Sequence, residues 1–221
     1  MRSGRHEGLA YALAEPEGEP AGGVVILHGA GSCKENHADF ALACAVAGLA
    51  AVTFDQRGHG ASDGALGASV LDDIAAIAGL LPAGRPVFLR GSSMGGCFAL
   101  AAAKPAGAAG VVAICPATPA QLLAAAQREE RYEARADSAG LAPLLTAMDL
   151  EAAARALGPR LMLLHAEGDD VVAIEHSERL HAQAAGSRFV RVTGGDHRSI
   201  QHDPALQTEA VGFLLERCRH G

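Results

Sequence analysis

The chain reads as an α/β protein built on a mostly parallel sheet with helices on both faces. Three observations predict this. Short apolar runs rich in β-branched residues alternate with longer helix-like stretches. The first run closes on glycine, as a buried strand entering a turn does. The runs are continuously apolar, as strands covered on both faces must be.

Taken in order, "GVVILHG" (23–29) is a strand and "ENHADFALACAVAGLA" (35–50) a helix. "AVTFD" (51–55), "SVLDDIAAIAGLL" (69–81) and "PVFLRG" (86–91) follow as strand, helix and strand. "MGGCFALAAAK" (94–104) is helical, and "AGVVAIC" (109–115) and "RLMLLHAEG" (160–168) are strands. "IEHSERLHAQAAG" (174–186) is a helix, "SRFVRVTG" (187–194) a strand, and the tail from Pro204 a last helix. The rhythm breaks once. Residues 116–159 contain two helix-like stretches and no strand, too long a span for an ordinary crossover. They read as a small helical insertion after the fourth expected strand, serving as a partial lid or as a surface helical pair. Its "LAPLLTAMDL" segment is then either an acyl-binding wall or the buried face of those helices.

With 221 residues, 49% of them hydrophobic, the chain suffices for one domain, 1–221, and is short for two. No run of 18 apolar residues marks a membrane span. The first twenty residues lack the apolar core of a signal peptide. The expectation is a soluble, cytoplasmic protein. A net charge of −7 excludes the positive field that nucleic acids or anionic membranes require. Five cysteines without a C-x-x-C pair read as small buried thiols rather than a disulfide framework.

In an open parallel sheet, sites form at the carboxyl ends of the strands. The polar residues found there are His28, Asp55 to His59, Ser92 and Ser93, Asp169 and Asp170, and Asp196 with His197. A serine, an acid and a histidine thus occupy three strand ends in the order Ser, Asp, His. That order, with "LHGAG", "FDQRGHGASDG", "RGSSMGG", "LHAEGDDVV" and "GGDHR" in sequence, resembles the α/β-hydrolase superfamily over nearly the whole chain. The first two segments resemble uncapped or lightly capped esterases of the dienelactone-hydrolase-like and cinnamoyl-esterase-like branches. Dienelactone hydrolases carry cysteine at the nucleophile position, where this chain has Ser93, which points away from a dienelactone substrate.

Two segments fit G-x-S-x-G, singling out Ser93 in "GSSMG" and Ser62 in "GASDG". A nucleophile elbow needs a strand running into the serine and a helix starting just after it. Only Ser93 has both. Ser62 lies in a polar loop and takes a structural role; Ser92 reads as a turn or packing residue. A serine hydroxyl needs a base within reach, and His197 follows the last strand on a Gly-Gly loop. His28, His59 and His202 compete with it weakly. The resemblance implies Asp169 as the acid, four residues after His165; its neighbour Asp170 and Asp196 are the alternatives. Backbone N–H groups of Met94 and Ala30 are the expected oxyanion donors. Asp55 and Arg57 are expected to brace the loop ahead of the site by a salt bridge or main-chain contacts.

These residues imply a carboxylesterase cleaving small to medium esters through an acyl-enzyme. A thioesterase, a lactonase or an aminoacyl-type peptidase would use the same triad. A non-catalytic binding module of this fold would lack a member of it. The expected partner is a small-molecule ester. The chemistry requires no cofactor. No metal site stands out, because His176 and His181 are five residues apart rather than four. Cys33 reads as incidental, and the sequence assigns no oligomeric state.

Overall fold

The structure, a computed structural model, describes residues 1–127 and 135–219. One eight-stranded sheet runs through it. Its strands are β1 (Arg2–His6), β2 (Leu9–Ala14), β3 (Gly23–Leu27), β4 (Ala50–Phe54), β5 (Val87–Ser92), β6 (Gly110–Ile114), β7 (Leu161–Ala166) and β8 (Arg188–Val192). The spatial order is β1-β2-β4-β3-β5-β6-β7-β8. All neighbours are parallel except β1 with β2 and β2 with β4. The six parallel strands fall within two residues of the expected bounds.

The alternation of side chains along a strand explains why these segments must be apolar throughout. On β3, Val25 and Leu27 enter one apolar cluster, while Val24 and Ile26 enter another on the opposite face. The first cluster is covered by α2 (Val70–Ala78), α3 (Met94–Ala102) and α7 (Glu175–Gln183), through Ile74, Phe98 and Leu180. The second is covered by α1 (Ala38–Val46) and α8 (Pro204–Cys218), through Phe40, Phe213 and Leu214. The mostly parallel sheet with helices on both faces is therefore as the sequence predicts. Among the described residues, no helix is long and apolar enough to cross a membrane.

The antiparallel hairpin at the start of the chain is an addition that the sequence did not announce. β1 and β2 are joined by Glu7 and Gly8, with φ of 49° and 81°. Both central residues of such a tight turn need positive φ, which Gly8 adopts freely and Glu7 does not. With glutamate in place of asparagine or aspartate, and a largely exposed β1, the hairpin signal is absent.

Three of the helices lie within 116–159: α4 (Pro119–Ala126), α5 (Ser138–Ala147) and α6 (Leu150–Leu157). Thr118 and Gln121 close a reciprocal cap at the start of α4, and Asp137 and Asp149 cap the next two. The expected helical reading of 128–134 lies outside the described residues. Leu141, Leu145 and Leu150 are buried in the first cluster, so much of "LAPLLTAMDL" is the inner face of these helices.

The expected bracing of the loop after β4 holds, but not through an Asp55–Arg57 pair. Asp55, fully buried, accepts the Lys34 backbone N–H at 2.7 Å, the Lys34 ammonium at 2.8 Å and the Ala61 N–H at 2.9 Å. Arg57 turns to Asp73 on α2 at 2.9 Å and to the Glu7 carbonyl at 2.9 Å. Asp55 and Arg57 are neighbours in sequence, yet each pairs with a residue far along the chain, Asp55 with Lys34 across 21 residues and Arg57 with Asp73 across 16. Asp55 thereby ties the loop after β3 to the loop after β4. Burial pushes its carboxyl up, but the Lys34 ammonium and the two N–H donors outweigh that and hold it below the ordinary aspartate value.

Lys34→Met should lower the unfolding free energy by about 3 kcal/mol, read by urea denaturation, because it leaves a buried carboxylate without its cation. The contribution of a depressed carboxyl is complete above the unfolded aspartate value of about 3.9 and is lost as pH falls through the lower folded value. The difference between wild type and Lys34→Met should therefore be full at neutral pH and shrink below about pH 4.

Candidate active site

β5 runs directly into Ser93, and α3 begins at the next residue. Ser93 has φ 52° and ψ −118°, a strained conformation for a residue with a side chain. Its backbone is pinned on both sides: the N–H donates to the Ile114 carbonyl at 2.9 Å, and the carbonyl accepts from Cys97 and Ala117 at 3.1 and 3.0 Å. Gly91 and Gly95 permit this geometry. A Cβ on Gly91 would strike the Gly95 carbonyl, and one on Gly95 would strike the carbonyls of Leu27 and His28. The small residues are thus required by the contact of α3 with β5 and β3.

The Ser93 hydroxyl lies 2.8 Å from His197 Nε2, and His197 Nδ1 lies 2.7 Å from Asp169 Oδ2. With Nδ1 carrying the proton, the ring donates to the carboxylate and its Nε2 accepts from the serine. The Asp169 side chain is fully buried and that of His197 is 11% exposed. Asp169 Oδ1 accepts the N–H groups of Val171 and Val172 at 2.9 and 2.8 Å. Burial alone would raise the Asp169 carboxyl; the Val172 N–H, His197, Cys115 and the Val171 N–H outweigh it and hold it below the ordinary value. The carboxylate stays ionised at neutral pH.

The competing residues go elsewhere. Ser62 is buried, donating to the Asp55 carbonyl at 2.5 Å and accepting the Ala10 N–H at 2.8 Å, so both of its capacities are filled. Ser92 Oγ is buried with no hydrogen-bond partner among the described residues. Asp170 is exposed, and Asp196 folds back to accept the N–H groups of Arg198 and Ser199 at 2.9 and 2.8 Å. His28 is fully buried between the Gly29 carbonyl and the Gln56 N–H, and burial lowers its pKa to about 4. His59 packs edge-on against it at 4.9 Å, and His202 pairs with Asp39 at 2.9 Å. Burial and Glu35 raise the Cys33 thiol, which leaves it unactivated.

Two residues for which the sequence suggested no site role support Asp169. Cys115, at the end of β6, has φ 41° and lends its thiol to the carboxylate; burial pushes that thiol up and keeps it protonated. His165 accepts the Ser177 hydroxyl at 2.7 Å and donates to the Val172 carbonyl at 2.9 Å, closing the loop around Asp169. Donor atoms of Cys115, His165 and Asp169 lie within 4.8 Å of one another, which would suit a metal ion. Both His165 nitrogens already have partners, however, and Asp169 already accepts at both oxygens. The set works as hydrogen-bonded support for Asp169.

The loop after β3 comes against the serine: a side chain on Gly29 would sit 3.4 Å from Ser93 Cβ. The N–H groups of Ala30, in that loop, and of Met94, at the first position of α3, have no acceptor among the described residues. A cavity of about 420 Å³ opens here, walled by residues 29–32, Asn36, Ser93, Val171, His197, Arg198, Gln201 and His202. Leu144 and Met148 line a different cavity, of about 740 Å³, beside α3 and α6. At the near rim, Gln121 of α4 donates to the Val171 carbonyl at 2.9 Å.

The fold and this strand–serine–helix turn define an α/β hydrolase. Residues 18–136 match the family model described as serine aminopeptidase, S33, and the chain belongs to that family. The matched span includes Ser93 and stops short of Asp169 and His197. A curated relative, an uncharacterized abhydrolase domain-containing protein of Dictyostelium discoideum, is 35% identical over 99 residues. That match covers 42% of this chain and 11% of the relative, so the chain spans about a tenth of the relative's length. Among solved structures, Est1E from Butyrivibrio proteoclasticus with bound ferulic acid is similar with a TM-score of 0.78 at 20% identity, over 99% of this chain and 100% of that one. A monoacylglycerol lipase of Paleococcus ferrophilus gives 0.72 at 22% identity, over 96% and 99%. XC6422 from Xanthomonas campestris, a serine hydrolase without a lid, gives 0.63 at 18%, over 96% and 88%. At these identities the structures share the fold.

Gly95→Ala should destabilise the protein by about 2 kcal/mol, because the added methyl overpacks α3 against β3. Thermal unfolding of Gly95→Ala beside Ser92→Ala checks this. The serine variant removes only an unsatisfied buried hydroxyl and should stay within about 0.5 kcal/mol of wild type.

Proposed function

We propose that the chain is a serine carboxylesterase acting on small to medium esters through an acyl-enzyme. The observation that carries this reading is the unbroken hydrogen-bonded series Ser93–His197–Asp169, with separations of 2.8 and 2.7 Å. Ser93 Oγ attacks the ester carbonyl carbon as its proton passes to His197 Nε2. The negative charge that develops on the carbonyl oxygen is stabilised by the N–H groups of Ala30 and Met94. His197 then returns the proton to the departing alkoxide, leaving the acyl group on Ser93. Water attacks the acyl-enzyme with His197 again as base, and the acid leaves. Asp169 orients the ring and stabilises the imidazolium.

A second reading, cleavage of aminoacyl amides on the same triad, is favoured by the description of the family to which the chain belongs. The pocket, not the triad, separates the two. The same proposal treats 1–221 as one domain in which 116–159 is a helical insertion. The Gln121–Val171 contact supports a partial-lid role for it at the cavity rim. It also takes the location to be cytoplasmic.

Incubation with a fluorophosphonate, followed by intact mass, should show one adduct on wild type and none on Ser93→Ala. A panel of short nitrophenyl esters, a feruloyl ester, a monoacylglycerol and aminoacyl anilides should show turnover strongest on the short esters; turnover confined to the anilides would replace the esterase reading with the second. Asp169→Asn should lower kcat on the best substrate by ~10⁴-fold, since the amide would hold the imidazole in the wrong tautomer.

A further inference from the structure

Among the described residues Arg90 is the largest fully buried side chain, 1% exposed. It sits on β5, three residues before Ser93. Among the described residues, no carboxylate lies within salt-bridge distance of its guanidinium. Burial lowers its pKa to about 10, so it stays charged at neutral pH. An unpaired buried cation is expensive, and apolar replacements of similar volume are usually tolerated or better. Its contacts therefore need an explanation.

Nη1 donates to His37 Nδ1 at 2.9 Å, and Nη2 donates to the Gln201 carbonyl at 2.9 Å. The guanidinium also lies 4.7 Å over the Phe40 ring. His37 is buried, and burial together with Arg90 pushes its pKa to about 2, so the ring is neutral and can accept. Gln201 belongs to the short turn Ser199–His202 that follows His197. The same carbonyl accepts Gln207 Nε2 at 3.2 Å, and Gln207 also holds Asp39 at 2.7 Å. Asp39 in turn pairs with His202, which stacks on His37 at 5.9 Å.

We infer that Arg90 is a positioning residue for His197: one buried side chain fastens the strand that presents the serine to the loop that presents the base. The reasoning is geometric. His197 follows Gly194 and Gly195, both at positive φ, and its loop has no sheet partner of its own. Besides the local Asp196 turn, the bonds of His197 to Ser93 and Asp169, and the burial of Ile200 in the second apolar cluster, polar contacts hold this loop at Gln201, through Arg90 and Gln207, and at His202, through Asp39. Arg90 is the anchor that is itself rigid, because β5 lies between two paired strands. The inference rests on the triad reading above, and it makes the serine–imidazole distance depend on a residue that touches neither group.

The test compares wild type, Arg90→Met, Arg90→Lys and Gln207→Ala on the best ester, with thermal unfolding as a check on folding. The proton NMR signal of His197 Nδ1–H, which a bond of 2.7 Å to Asp169 should shift far downfield, is followed in each. Arg90→Met should lower kcat about 10- to 100-fold, as a misplaced base does, with KM within about twofold. Its downfield signal should broaden, and Arg90→Lys should recover part of both. Gln207→Ala should show the same effects more weakly. A folded Arg90→Met with kcat within about twofold and an unchanged downfield signal overturns the inference, even where its melting temperature falls. If Arg90→Met does not fold, an unchanged Gln207→Ala overturns it instead. Should wild type turn over no substrate and take no fluorophosphonate, the esterase reading fails while the downfield signal still decides the role of Arg90.

Discussion

The contact of α3 with β3 and β5 sets the position of everything else at the site. Because a Cβ on Gly91 or Gly95 would meet backbone carbonyls, the helix can lie close enough for the chain to turn within the single residue Ser93. That residue takes a strained positive φ of 52°, and bonds to Ile114, Cys97 and Ala117 hold it there. The same approach brings Gly29 of the neighbouring loop against the serine, and the first N–H of α3 is left without an acceptor there among the described residues. A packing constraint inside the sheet thus produces the tight strand–serine–helix turn at its edge.

Around that fixed point the remaining groups are held by polar networks buried at the strand ends. Lys34 and Asp55 join the loops after β3 and β4; Cys115, His165 and the N–H groups of Val171 and Val172 surround Asp169; Arg90 and Gln207 grip the loop of His197. Each network is costly to desolvate and contributes little to stability compared with apolar packing. Their shared property is that each fixes a loop that has no strand partner. Loops of a parallel sheet carry the chemistry, and the sheet's own hydrogen bonds end before reaching them.

Membership of the serine aminopeptidase, S33, family rests on residues 18–136, the half that carries Ser93. The acid and the histidine come from the other half, and the fold brings them to the serine across 76 and 104 residues of chain. The likeness to Est1E and to the monoacylglycerol lipase extends over nearly the whole chain, so it is the architecture that relates the second half to known proteins.

Much of this was legible without coordinates. Buried parallel strands must be apolar on both faces, so β3 to β7 declare themselves by composition, and a serine between glycines at a strand–helix junction declares the turn. Ser93 was singled out by its strand–helix junction and His197 by the Gly-Gly loop after the last strand, whereas Asp169 was chosen over Asp170 and Asp196 only by the resemblance to the α/β hydrolases. The Glu7–Gly8 hairpin was not legible, since its turn lacks the usual residues and β1 is largely exposed. Nor were the partners of Asp55 and Arg57, because ion pairing is decided by which loops meet in space. Cys115 read only as one of five small buried thiols, and nothing in the sequence singled out Arg90. Only the tertiary structure shows the thiol turned to Asp169 and the guanidinium turned inward to Gln201. Periodicity along a chain records which side chains are buried; it does not record what they face once buried, and that is settled by the packing of segments far apart in sequence.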